Sequence, residues 1–261
     1  KRYNYRSYSD IMVYDMNSQS KQRLTKKQKF FAPNLSPDGK KIALIENNEQ
    51  VQSRLHVIDS ENGRILKSFK NPDNCFLRTP VWSPEGNEIA YTAGSEKGLS
   101  LIVVDYETQT TDTIIDQSRE VFGRPAFYKN YLLYNSSFGK TGNIYAVNRK
   151  TAEQYRLTSA DYGAYNPKVK GDSMLYDCYT PKGYRTARRQ LETEKWKNKN
   201  ENAAYTSRRT KTIVQQEGNF QFTDFKMNKK NQYSVKKYRP LRDAVKIYGW
   251  GFYSDYESKI S

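Results

Sequence analysis

The feature that most constrains this chain is a repeat. Phe31-Ala-Pro33-Asn-Leu-Ser-Pro37-Asp38-Gly39-Lys-Lys-Ile-Ala43-Leu44 returns as Arg78-Thr-Pro80-Val-Trp-Ser-Pro84-Glu85-Gly86-Asn-Glu-Ile-Ala90-Tyr91. Two degenerate copies follow, Arg124-Pro125 through Tyr134 and Asn166-Pro167 through Tyr176. The anchoring prolines step by 47, 45 and 42 residues. A second landmark keeps the same phase. Apolar runs end in an acid or amide at Asp15, Asp59, Asp105 and Asn148, with steps of 44, 46 and 43. Two independent landmarks on one period mean that the chain is an array of similar supersecondary units.

The turn chemistry says what the unit is. In Ser36-Pro37-Asp38-Gly39 the proline presets φ at about −65° at the second turn position, and the glycine accepts a positive φ. The flanking segments, Pro33–Leu35 and Lys41–Ile45, then form a hairpin. Ile42-Ala-Leu-Ile45 is apolar on both faces, which suits a strand sandwiched between two sheets. Trp82 and Phe127 stand two residues after their prolines, as large fillers between sheets. The Asp59-Ser-Glu-Asn-Gly63 turn reverses the chain into a more polar outer strand, Arg64–Phe69. Four short strands in a unit of about 40–50 residues is the period of a β-propeller blade. The expected fold is therefore all-β, a propeller of four-stranded blades with about four recognisable repeats, in a ring incomplete within this chain or closed by unrecognised segments.

The repeat resembles the WD40-like unit of TolB-type propellers, on the Pro33–Ala43 and Pro80–Ala90 motifs and the outer-strand endings Arg23-Leu24-Thr25 and Arg156-Leu157-Thr158. The resemblance covers residues 8–180 or thereabouts. It implies a module of the bacterial cell envelope, periplasmic or associated with the outer membrane, that binds a protein or an envelope glycan. Such chains sometimes continue into a surface-antigen type of outer-membrane barrel. Tyr238-Arg-Pro240, with the aromatic stretch Ile247–Tyr253, is similar to the junction that precedes it. The other implied reading is the propeller, or gating, domain of a prolyl-oligopeptidase-like peptidase whose catalytic domain lies outside this chain.

The expected domain layout has propeller blades over 1–181, a basic polar linker over 182–232 with segments able to close the ring, and a junction or closing strand over 233–261. Within the linker, Thr212–Val214 and Asn219–Phe225 are the strand candidates. The chain carries 44 Lys+Arg against 28 Asp+Glu, a net charge of +16. Of this, +12 falls between Lys182 and Lys246, from 18 basic and 6 acidic residues. That stretch is expected to lie outside the propeller core and to face an anionic partner or membrane surface. Lys195, Lys197, Lys199, Arg208, Arg209 and Lys211 interleave with Trp196 and Tyr205, which also suits nucleic acid. No recognised nucleic-acid module accompanies them, so that partner is the weaker choice.

The chemistry of catalysis is sparse. No Gly-x-Ser-x-Gly elbow, P-loop or HExxH occurs. The single histidine, His56, lies inside a strand, where a packed role is expected. Asp15, Asp59 and Asp105 are read as caps of their own turns in preference to a cation-lined channel. Cys75 and Cys178 cannot complete a zinc quartet with one histidine, and their disulfide state stays open. The expectation is a non-enzymatic module with no catalytic, cofactor or metal residues and no cofactor. No apolar run approaches the length of a membrane-spanning helix. With no N-terminal Met or signal-peptide pattern, and an ending in mid-alternation, the chain reads as an excerpt of a longer one.

Overall fold

In a computed structural model, residues 7–138, 141–199 and 215 are described. The described residues belong to one compact unit, Lys1–Gln216. Antiparallel sheets follow one another along the chain. A two-stranded sheet, β1 (Met12–Tyr14) and β2 (Lys21–Arg23), comes first. The first full blade is β3 (Phe30–Leu35), β4 (Lys41–Asn47), β5 (Ser53–Asp59) and β6 (Ile65–Ser68). The second is β7 (Phe76–Trp82), β8 (Glu88–Ser95), β9 (Gly98–Asp105) and β10 (Thr111–Ser118). The third is β11 (Ala126–Tyr128), β12 (Tyr131–Ser136), β13 (Asn143–Asn148) and β14 (Gln154–Arg156). The fourth holds β15 (Ala164–Lys170), β16 (Ser173–Thr180) and β17 (Gly183–Gln190). After it, β18 (Lys197–Asn198) pairs with β14 of the third blade. The four-bladed arrangement expected from the repeat is thus observed.

The repeat works because each middle strand is buried twice over. Along β4, Ile42 and Leu44 pack with Ile11 and Phe30 toward the two-stranded sheet. Ala43 and Ile45 point the other way, against Leu77, Trp82 and Ile89 of the second blade. The period of two along a strand sends alternate residues to different neighbours. The third blade repeats this, with Leu132 and Tyr134 facing the second blade and Leu133 facing the fourth. Trp82 and Phe127, 5% and 7% exposed, fill inter-blade cores as expected. Trp82 packs its ring 5.4 Å from that of Tyr106.

The turns follow local chemistry. Gly39 and Gly86 adopt φ of +75° and +74°, and in each hairpin the glycine N–H donates to the serine carbonyl, Ser36 or Ser83. The acid-or-amide turns are four copies of one device. The Oδ1 atoms of Asp15, Asp59, Asp105 and Asn148 each accept N–H bonds from the residues two and three positions on. Each Asp or Asn N–H donates to the carbonyl five residues later. The turn-cap reading of these acids is correct.

The 182–232 segment, expected as a basic linker with segments able to close the ring, opens with a strand of the fourth blade. β17 pairs with β16 over eight residue pairs, from Ser173↔Gln190 to Thr180↔Gly183. The basic stretch beyond Lys182 therefore begins as a strand, and Leu191 and Lys199 are buried. β17 is exposed along nearly its whole length, so it shows no hydrophobic alternation. Its signal was the Pro181-Lys182-Gly183 turn, where Gly183 takes φ of +95°. Apart from residue 215, the basic stretch from 200 on lies outside the described residues, as do Thr212–Val214, Asn219–Phe225 and the 233–261 junction.

Candidate binding site at the convergence of the inner strands

The first strand of each blade is its innermost, and the four converge on one cavity of about 380 Å³. Asn34, Leu35 and Pro37 line it from the first blade, Val81 to Pro84 from the second, Arg124 to Phe127 from the third, and Pro167 to Val169 from the fourth. This is where all four repeat motifs meet. The lining is apolar apart from Asn34, Ser83, Arg124 and Lys168, and both its charges are positive. Asn34 Oδ1 accepts from the Trp82 N–H at 2.9 Å, fastening the first two blades together at the rim.

The inner strands also share a kink. Ala32, Thr79 and Asn166 take φ of +51°, +48° and +52°, each just before an anchor proline, Pro33, Pro80 or Pro167. The strand register slips at the same three places, Phe31/Asn34, Arg78/Val81 and Tyr165/Lys168. A bulge re-aims the side chains on either side of it. The prolines cost no ladder bond, because they sit on edge strands. Above the bulge, Phe31, Ile45, Phe76, Leu77 and Arg78 enclose a second cavity of about 560 Å³ between the first two blades. Phe31 and Phe76 are 44% and 53% exposed there. Sequence reading picked out the prolines but not the strained residue before each, since nothing in Ala-Pro or Thr-Pro announces a positive φ.

His56 is buried in the first blade. Its Nδ1 lies 2.8 Å from Ser68 Oγ and its Nε2 3.1 Å from Glu46 Oε2. Burial, aided by Arg54 and opposed by Glu46, lowers its pKa below the usual value. The ring is 3% exposed and faces Phe30, so the trio acts as a strand-to-strand tie. Among the described residues, no three His, Cys, Asp or Glu side chains gather as a metal site. Cys75 and Cys178 are both free thiols, half-buried.

The Arg-Leu-Thr endings have a definite structural role. Thr25 Oγ1 accepts from the Ile11 N–H, and Thr158 Oγ1 from the Ile144 N–H, both at 2.8 Å. Arg23 and Arg156 each donate Nε to the threonine carbonyl two residues on. Asp10 and Asn143 complete the two latches by accepting from the threonine hydroxyls.

Arrangement and repeat together match structures already solved. TolB from Acinetobacter baumannii superposes with a TM-score of 0.58 at 17% identity, over 72% of this chain and 47% of that one. The fold is a TolB-like β-propeller. A puromycin-hydrolyzing peptidase of Mycobacterium tuberculosis is similar at a TM-score of 0.53 and 14% identity, over 69% of this chain and 30% of that one. By sequence, the chain is 29% identical over 146 residues to a protein of Bacillus subtilis (strain 168) described as the uncharacterized peptidase YuxL. That match takes in 53% of this chain and 20% of the relative, so the propeller corresponds to a small part of the relative's length. No known protein-family model matches the chain.

Proposed function

We propose that this propeller is the non-catalytic module of a larger peptidase, and that it admits and holds peptide at the convergence of the inner strands. The observation that carries the reading is the 29% identity to a Bacillus peptidase, which the fold likeness to a second peptidase supports. The cavity suits the role. Leu35, Val81 and Phe127 offer apolar contact, Asn34 and Ser83 offer hydrogen bonds, and Arg124 and Lys168 offer positive charge toward a peptide carboxylate. The chain's one imidazole is sealed in a strand, which supports a reading in which bond cleavage belongs to another part of the larger peptidase.

The test is made on the natural full-length protein. It is expected to react with a fluorophosphonate probe and to hydrolyse chromogenic peptide amides, whereas the propeller alone does neither. Arg124→Glu with Lys168→Glu in the full-length protein is expected to raise KM for peptides with a free carboxylate. A full-length protein that neither labels nor hydrolyses overturns the reading, as does hydrolysis by the propeller alone.

A second reading has its own observation, the likeness to TolB. In it the propeller is a binding module of the bacterial envelope, with a protein or glycan partner and a basic face toward the outer membrane. Fractionation of the native protein with the outer membrane, without peptidase activity, is its expected result.

A further inference from the structure

After β17 the chain turns back across the third blade as a strap, Leu191–Lys199. It crosses an aromatic slot and ends in a cage. The Trp196 ring lies 4.9 Å from that of Tyr131, edge to face, and 6.0 Å from those of Tyr128 and Tyr155. Lys197 and Asn198 then pair with Arg156 and Tyr155, and the Lys199 N–H donates to the Gln154 carbonyl at 2.8 Å. The Lys199 side chain, 7% exposed, runs inward. Its Nζ donates to Glu120 Oε1 at 2.6 Å and to Gln154 Oε1 at 2.8 Å. The ammonium also lies over the rings of Phe138, Tyr145 and Tyr134, at 4.5, 5.3 and 6.0 Å. An ammonium held by a carboxylate, an amide oxygen and aromatic faces satisfies both charge pairing and cation–π attraction.

The cage is assembled by bonds that do not involve Lys199. Tyr134 OH donates to Gln154 Oε1 at 2.8 Å, Tyr145 OH donates to the Phe138 carbonyl at 3.0 Å, and Ser136 Oγ donates to Glu120 Oε2. Receptor groups fixed in this way are ready before the ammonium arrives, which lowers the ordering cost of binding. The strap is anchored at its start, where the Leu191 N–H donates to the Asp172 carbonyl and Tyr128 OH to the Leu191 carbonyl, but its ladder with β14 has two residue pairs and its Glu192, Glu194, Lys195 and Lys197 are exposed. What occupies this edge of the blade is short and linear. It meets a sheet edge at β14, an aromatic slot and, three residues further, an ammonium cage. This is the strand-addition mode of peptide recognition, with the edge supplying affinity and the two side-chain sites supplying specificity.

We propose that the outer edge of the third blade is a docking groove for an extended peptide of the pattern aromatic-x-x-lysine, held in cis by Trp196–Lys199 and open to a partner segment of the same pattern when the strap lifts. The charge fits such a partner, because Glu120 is the anion that meets the incoming lysine.

The experiment uses the full chain carrying Trp196→Ala and Lys199→Ala, with the peptide acetyl-Trp-Lys-Asn-Lys-amide as probe. Saturable binding is expected to the double variant by calorimetry, and at least about tenfold weaker binding to the parent, whose groove is filled. Adding Glu120→Gln to the double variant is expected to weaken binding by about tenfold or more, since a charge-assisted bond becomes a neutral one. Replacing the last lysine of the peptide by norleucine should have the same effect. A double variant that keeps its β-sheet circular dichroism yet binds no peptide overturns the proposal, as does binding indifferent to Glu120→Gln. If the double variant loses its β-sheet signal, Lys199→Ala alone takes its place, which empties the cage and keeps the rest of the strap. Glu120-dependent peptide binding to that variant supports the groove, and its absence refutes it.

Discussion

Thr158 distinguishes packing from hydrogen bonding as the force that closes a blade. It is 3% exposed. Its Oγ1 accepts from the Ile144 N–H at 2.8 Å and donates to Asn143 Oδ1 at 2.9 Å. Thr158→Val keeps the shape and adds apolar surface, so a blade governed by packing alone would tolerate it. Hydrogen-bond reasoning says otherwise, because the Ile144 N–H is left buried without an acceptor. That orphaning costs about 1–3 kcal/mol. Asn143 Oδ1 keeps a second donor, the Ala160 N–H at 2.8 Å, so the loss on that side is smaller. The net expectation is about 2 kcal/mol. Thr158→Ser retains both bonds and loses one methyl, for about 1 kcal/mol. The expected order of stability is therefore parent, then serine, then valine. In a unit of this size 2 kcal/mol corresponds to a melting shift of about 4–8 °C. Urea denaturation followed by circular dichroism, with unchanged slopes, checks it. A valine variant as stable as the serine variant would refute the reasoning. Thr25, at 7% exposure in the equivalent latch of the two-stranded sheet, should show the same order.

Three further outcomes follow from the packing and the turns. Trp82→Ala should cost about 3–5 kcal/mol, seen in the same denaturation assay, because the ring fills the core shared by the first two blades; an unchanged midpoint would place it outside that core. Gly63→Ala should destabilise more than Gly39→Ala, since both have positive φ but a Cβ at Gly63 would lie 2.4 Å from the Leu24 carbonyl oxygen while that at Gly39 meets nothing; equal melting temperatures would contradict this. Burial lowers the His56 pKa from 6.5 in the folded chain, whereas the unfolded chain takes up its proton near that value. Stability is thus complete above about pH 6.5 and falls as the pH drops below it toward the folded pKa. His56→Gln should flatten that slope, and a parent whose stability is level between about pH 6.5 and 5 would exclude the effect.

The hairpins and the acid-capped turns of the repeat were legible in the residues because each is decided within about six positions. Ser36-Pro37-Asp38-Gly39 makes its turn wherever it stands, and Asp59 finds its two N–H donors within three residues. The double burial of Ile42–Ile45 was likewise written in an unbroken apolar run. The candidate site was legible only in part. The anchor prolines announced the inner strands, but their convergence on one cavity depends on how four blades are set around an axis. The bulges at Ala32, Thr79 and Asn166 arise where edge strands must bend, which no dipeptide encodes.

The pairing of β17 was decided by distance. β17 carries arginines on both faces, so it has no pattern of its own and becomes a strand because β16 offers it an edge. Lys199 read as one more charge in a solvated basic run. It is buried because Glu120, 79 residues earlier, stands opposite it. Sequence determines the local turns and the alternation that faces inward. Tertiary structure decides which edge is paired and which charge is drawn inside, since both depend on partners that sequence order does not bring near.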